Sequence, residues 1–191
     1  MQDASYMFEN APINNASFLN RVSMKNLTTA NDMFHHCTRL KNISISSDLS
    51  SLRYMTNMFY NCTHLETVDL SSSSFSNSNA VDAESLFDGC DRLKSALLPK
   101  MIICNARNMF CNCKDLSNID VSLLDMSSCS DFAQMFVGCS GLLHIYCNDG
   151  TDWSTNKPDE DHWGYYMFSG CEQLSHYTEM TGDYQLSWAK V

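Results

Sequence analysis

Met58-Phe59-Tyr60-Asn61-Cys62-Thr63-His64-Leu65-Glu66-Thr67-Val68-Asp69-Leu70-Ser71 decides the fold, because its order of residues returns along the whole chain. With the phenylalanine as position zero, it falls at Phe8, Phe34, Phe59, Phe87, Phe110, Phe136 and Phe168, at intervals of 26, 25, 28, 23, 26 and 32 residues. A Met or Leu precedes each one. Three positions on stands Ala11 once, then Cys37, Cys62, Cys90, Cys113, Cys139 and Cys171. Six positions on, from the second unit, stand Leu40, Leu65, Leu93, Leu116, Leu142 and Leu174. A unit this short cannot bury its own apolar face, so such units stack into a solenoid with one continuous core.

The apolar spacing changes inside each unit. Leu52, Met55, Met58, Phe59 and Cys62 follow the i, i+3, i+4, i+7 rule of one helix face. Asn26, Ser51, Asn79 and Ser128 precede such stretches as N-cap candidates. After the leucine the apolar residues alternate: Ile43/Ile45, Val68/Leu70, Ile119/Val121 and Ile145/Cys147. That is the period of a short strand with one buried face. Each unit therefore reads as helix, tight turn, strand and a Ser/Asn-rich return.

The chain has 191 residues, 44% of them hydrophobic, which fits one elongated domain, 1–191. It divides into an irregular N-terminal unit (1–24), regular repeats (25–147), an inserted acidic and aromatic loop (148–163), and a last unit with a C-terminal cap (164–191). In the last unit Glu179 stands at a core position, as expected where a stack ends. No apolar run of about 18 residues is present, so no membrane insertion of this segment is expected. The start, Met1-Gln2-Asp3-Ala4, lacks a signal peptide and reads as a mature or expressed fragment, with a cytosolic chain as the alternative. A net charge of −10 argues against nucleic acid as a partner.

Ten cysteines raise the question of disulfides or zinc. Six share the inward column, where cysteine packs as a small hydrophobe. Helical layers about 8–10 Å apart would hold them beyond disulfide reach, so free buried thiols are expected. Cys104 with Cys111 and Cys113 has neither a CxxC pair nor a matched histidine, so no metal is expected there. Asp149 and Asp152 resemble a piece of a calcium loop but lack its glycine and its closing glutamate. No cofactor is implied.

The columns at residues 58–71 and 109–122 resemble the BspA-type leucine-rich repeats of bacterial surface proteins. The segment Ile145-Tyr146-Cys147-Asn148-Asp149, followed by Asp152-Trp153-Ser154 and a further Met-Phe-x-x-Cys, is similar to late repeats of that family. Ala11, the weak strand at Ala96-Leu97-Leu98 and Glu179 depart from the pattern. The resemblance implies an α/β leucine-rich-repeat solenoid of about seven units, with a parallel β-sheet on the concave side and short helices on the convex side. It also implies a cell-surface or secreted location and a role in adhesion or host interaction.

None of the six histidines falls in a recognised catalytic motif. The expectation is a non-enzymatic, monomeric interaction module. Strand residues between the buried ones point to solvent. Toward the C-terminal side they become acidic and then aromatic. The candidate binding residues are Asp69, Asn118, Asp120, His144, Tyr146 and His176, with Trp153 and Trp163 from the loop. A protein is the expected partner, with a glycan ligand or an intracellular scaffolding role as alternatives.

Overall fold

The computed structural model describes residues 1–147 and 167–174. Their order of elements is a 3-10 helix at Ser17–Arg21, then β1 (Asn42–Ser44), β2 (Thr67–Asp69), β3 (Ala80–Asp82), β4 (Ser95–Leu97), β5 (Met101–Asn105), β6 (Asn118–Asp120), β7 (Leu124–Asp125) and β8 (His144–Tyr146). All pairings are parallel, and each joins a coil to the one after it. The chain is thus a solenoid of parallel strands. The expected strands β1, β2, β6 and β8 form, and β4 forms at the segment the pattern marks as weak.

Among the described residues the expected α-helices do not form. Around Phe34 the amides of Ala30, Asp32, Phe34 and His36 donate to Tyr54, Thr56, Met58 and Tyr60 of the next coil at 2.8–2.9 Å. The amides of Met33, His35, Cys37 and Leu40 close i→i−3 turns at 2.9–3.3 Å. Alternate amides therefore leave the coil, whereas an α-helix keeps them in its own i→i−4 ladder. Two left-handed residues flank each column phenylalanine from Phe8 to Phe136, such as Asp32 (φ 55°) with His36 (φ 56°), or Asn57 (φ 56°) with Asn61 (φ 54°). Left-handed backbone suits Gly and Asn and cannot continue a right-handed helix. The result is a corner of consecutive tight turns whose positions −4, −1, 0 and +3 point inward, which mimics helical spacing.

The return segment carries a second parallel ladder that the sequence pattern does not reveal. Its strands are β3, β5 and β7, extended toward the N-terminus by bridges Asp3↔Thr29, Thr29↔Tyr54 and Tyr54↔Asp82. A bulge shifts the register between Val81 and Asp82. Asn79, an N-cap candidate, instead donates its side-chain amide to the Ser50 carbonyl at 3.2 Å.

The column residues fill the interior. Phe34, Phe59, Phe87, Phe110 and Phe136 are fully buried. From Phe8 to Phe168 successive rings stack at 5.3–5.8 Å between centroids. Phe18 of the 3-10 helix closes the N-terminal end of this stack edge-on to Phe8, at 5.2 Å and 64°.

The coils are closer than helical layers would be. Paired strands lie about 4.8 Å apart, within the Cα reach of a disulfide. Spacing therefore does not keep the column cysteines apart, contrary to expectation. Each thiol instead donates to the phenylalanine carbonyl of the preceding coil: Cys37 to Phe8 (2.9 Å), Cys62 to Phe34 (3.1 Å), Cys90 to Phe59 (3.1 Å), Cys113 to Phe87 (3.3 Å), Cys139 to Phe110 (2.9 Å) and Cys171 to Phe136 (2.9 Å). The same carbonyl accepts an amide within its own coil, as Phe34 does from Cys37 at 2.9 Å. Cysteine is thus small and apolar enough for the core, yet occupies the second lone pair of a buried carbonyl.

Candidate functional site: the outward face of the strand ladder

The strands β1, β2, β4, β6 and β8 share one outward face, with two side chains from each strand. One row is Asn42, Thr67, Ser95, Asn118 and His144, and the other is Ser44, Asp69, Leu97, Asp120 and Tyr146. Between them lie the inward residues Ile43, Val68, Ala96, Ile119 and Ile145; the first four are buried and Ile145 is half-buried.

Many of these polar groups are already engaged in holding the fold. Thr67 donates its hydroxyl to the Asn42 side chain at 2.7 Å. Asp69 accepts from the Ser71 amide at 3.0 Å and hydroxyl at 2.6 Å. Asp48 and Asp125 make the same Asp-x-Ser turn with Ser50 and Ser127. The serine hydroxyl holds both of these carboxyls below the usual carboxylate range. Asp69 is therefore a turn-forming residue as much as a surface acceptor, and it lies in the same three-stranded sheet as β1 and β4.

The C-terminal part of the face differs. Asn118 and His144 are register partners, as are Asp120 and Tyr146. Tyr146 is 51% exposed, and its ring lies 6.2 Å from that of His144. Asp120 is exposed and accepts the Ser122 amide at 2.9 Å through one oxygen. Among the described residues it has no cationic partner, whereas the nearby Lys94 and Lys114 are paired with Glu66 (2.9 Å) and Asp91 (3.0 Å). The candidates Trp153, Trp163 and His176 lie outside the described residues.

Sequence reasoning puts Leu97 in the outward row but not among the candidates, and it missed the break in the ladder. Leu97 is 52% exposed in the same row as Asp120 and Tyr146. The ladder also breaks between β4 and β6. Elsewhere Ile45, Leu70 and Val121 donate their amides to the carbonyls of Asp69, Leu97 and Tyr146 at 2.8–2.9 Å. Among the described residues the equivalent bond from Leu98 to the Asp120 carbonyl is absent, as is that from Ser117 or Asn118 to Lys94. Two sequence features sit at this seam: the shortest interval, 23 residues from Phe87 to Phe110, and Pro99, which has no amide to donate. An unusual interval was the available signal.

Among the described residues no group of three His, Cys, Asp or Glu side chains is placed to hold a metal ion. No helix among them is long and apolar enough to cross a membrane. Burial pushes the Cys37 thiol up to about 11 and the Cys111 and Cys129 thiols up to about 12, so these are poor nucleophiles at neutral pH.

A comparison with curated proteins gives no match. A scan against family models matches the BspA type leucine-rich repeat region, in 6 copies, over residues 4–139 and 74–181. That family is a non-catalytic repeat class whose members include bacterial surface proteins, and its repeats mediate protein interactions. The matched residues span nearly the whole sequence, and the chain belongs to the BspA-type leucine-rich repeat family.

Proposed function

We propose that this chain is a non-enzymatic binding module of a cell-surface or secreted bacterial protein, acting in adhesion or host interaction through a protein partner. In this reading it is an array of about seven coils, and the partner docks on the outward strand face at its C-terminal end. The observation that carries it is the contrast along that face. Asn42 and Thr67 bond to each other, whereas Leu97 and Tyr146 are about half exposed beside the exposed Asp120. Aromatic side chains in the centre of an interface supply much of its contact energy. The tryptophans Trp153 and Trp163 belong to the same proposal as further contact residues.

A glycan ligand is the second reading. It is favoured by the exposed ring of Tyr146 beside His144, which offers a sugar a stacking surface and a hydrogen-bonding edge. The test is a binding screen of the purified chain against immobilised extracellular-matrix proteins and a glycan array. A hit should weaken at least tenfold in the double variant Leu97→Ala, Tyr146→Ala. Retention of full affinity by that variant would place the site elsewhere. An export signal in the full-length gene supports the surface location, and its absence supports an intracellular scaffold.

A further inference from the structure

We infer that the seam between β4 and β6 is an arginine-reading site, and that the protein partner presents an exposed arginine to it. This rests on the proposal that the partner docks on this strand face. Asp120 and Tyr146 are register partners, and Leu97 holds the same place in the preceding coil, whose strand β4 lies next to β6 without pairing with it. Tyr146 is one strand step from Asp120, about 5 Å. An aliphatic surface, a carboxylate and an aromatic ring in line match the three parts of an arginine side chain. Leu97 takes the methylene stem, Asp120 takes the guanidinium, and the ring of Tyr146 takes its planar face.

The seam adds acceptors. The Asp120 carboxylate uses one oxygen for the Ser122 amide, and among the described residues its carbonyl lacks the amide that the Asp69, Leu97 and Tyr146 carbonyls each receive. A guanidinium carries five donors and no acceptor and so suits a site of acceptors, while an ammonium offers a single point charge. Lys94 and Lys114 are paired with Glu66 and Asp91, and Lys100, three residues after Leu97, acts on Asp125 of β7. The net charge of −10 favours approach of a basic segment.

The replacement Asp120→Asn removes the charge but keeps an oxygen for the Ser122 amide, so the turn survives. Asp125→Asn is the matched control, with the same charge change in the same kind of turn on β7 of the other sheet. The experiment is selection of a random dodecapeptide library displayed on phage against the folded chain, followed by fluorescence anisotropy of the selected peptides. Arginine-bearing peptides should dominate. Their binding should weaken at least tenfold with Asp120→Asn, less than twofold with Asp125→Asn, and be lost when citrulline replaces the arginine. Equal losses in the two variants would mean general charge attraction and would overturn the inference. So would failure to enrich arginine. Peptides that need Tyr146 but ignore Asp120 would sink the arginine reading and leave the docking face standing. Peptides that bind the Tyr146→Ala chain unchanged would remove the face itself.

Discussion

Replacing Cys62 isolates what the cysteine column does. Its thiol is fully buried and donates to the Phe34 carbonyl at 3.1 Å, while the Cys37 amide donates to the same oxygen at 2.9 Å. Cys62→Ala deletes one buried heavy atom, about 1 kcal/mol of transfer and cavity cost. It also removes a donor from a buried carbonyl, about 1 kcal/mol more, the carbonyl keeping its other partner. The sum is about 2 kcal/mol. Cys62→Ser keeps a donor in a slightly smaller side chain and should cost about 1 kcal/mol. Cys62→Val keeps the bulk, adds a methyl to a packed core and loses the donor, so it should cost about 2–3 kcal/mol. The assay is urea unfolding in reducing buffer, with unchanged slopes required before midpoints are compared. If Cys62→Ala were as stable as Cys62→Ser, the donor role would be refuted.

Native-state thiol labelling should modify the half-exposed Cys104 first and leave Cys62, Cys90, Cys113 and Cys139 unmodified until the chain unfolds; rapid labelling of Cys62 would contradict its burial. Burial raises the folded-state value of Cys37 from 9.0 to about 11, so its stabilising contribution is whole below pH 9.0 and is lost as pH rises toward 11. Alkaline unfolding curves with and without Cys37→Ala should converge across that window. Asp125 has the opposite sign. Its folded-state value is lowered by Ser127, so its contribution is present above the unfolded carboxylate value of about 3.9 and disappears as pH falls through the lower folded value. Asp125→Asn should flatten the acid limb of the stability profile, and an unchanged limb would argue against the turn. Gly89→Ala should cost about 2 kcal/mol or more by thermal unfolding, because φ is +74° there and the added methyl meets the Asn61 side chain; a neutral result would mean the corner relaxes easily.

The repeat period, the inward columns and the family were legible in the linear sequence, because stacking copies the same demand onto every unit. Phe59, Cys62 and Leu65 must recur if each coil is to cover the next, and Val68 and Leu70 must alternate if a strand is to bury one face. The Asp-x-Ser turn at Asp69 and Ser71 was present in the letters too, but its role was not, since an aspartate in a turn and an aspartate facing a partner look alike until the hydrogen bonds are drawn. The helix was misread for a similar reason. Apolar spacing of three and four residues arises both from helical winding and from two tight turns at a left-handed corner. Only the destination of the backbone amides separates them, and from Ala30, Asp32, Phe34 and His36 they go to a coil about 25 residues away.

That long-range pairing is what tertiary structure decided. It sets the coil rise near 5 Å in place of a helical layer spacing, puts each thiol on the preceding phenylalanine carbonyl, and builds the second ladder in the Ser/Asn-rich return. It also breaks the ladder beside Asp120. A shortened interval and Pro99 can be counted in the sequence. Which two strands thereby lose their hydrogen bonds, and which side chains flank the break, depend on how neighbouring coils meet in space.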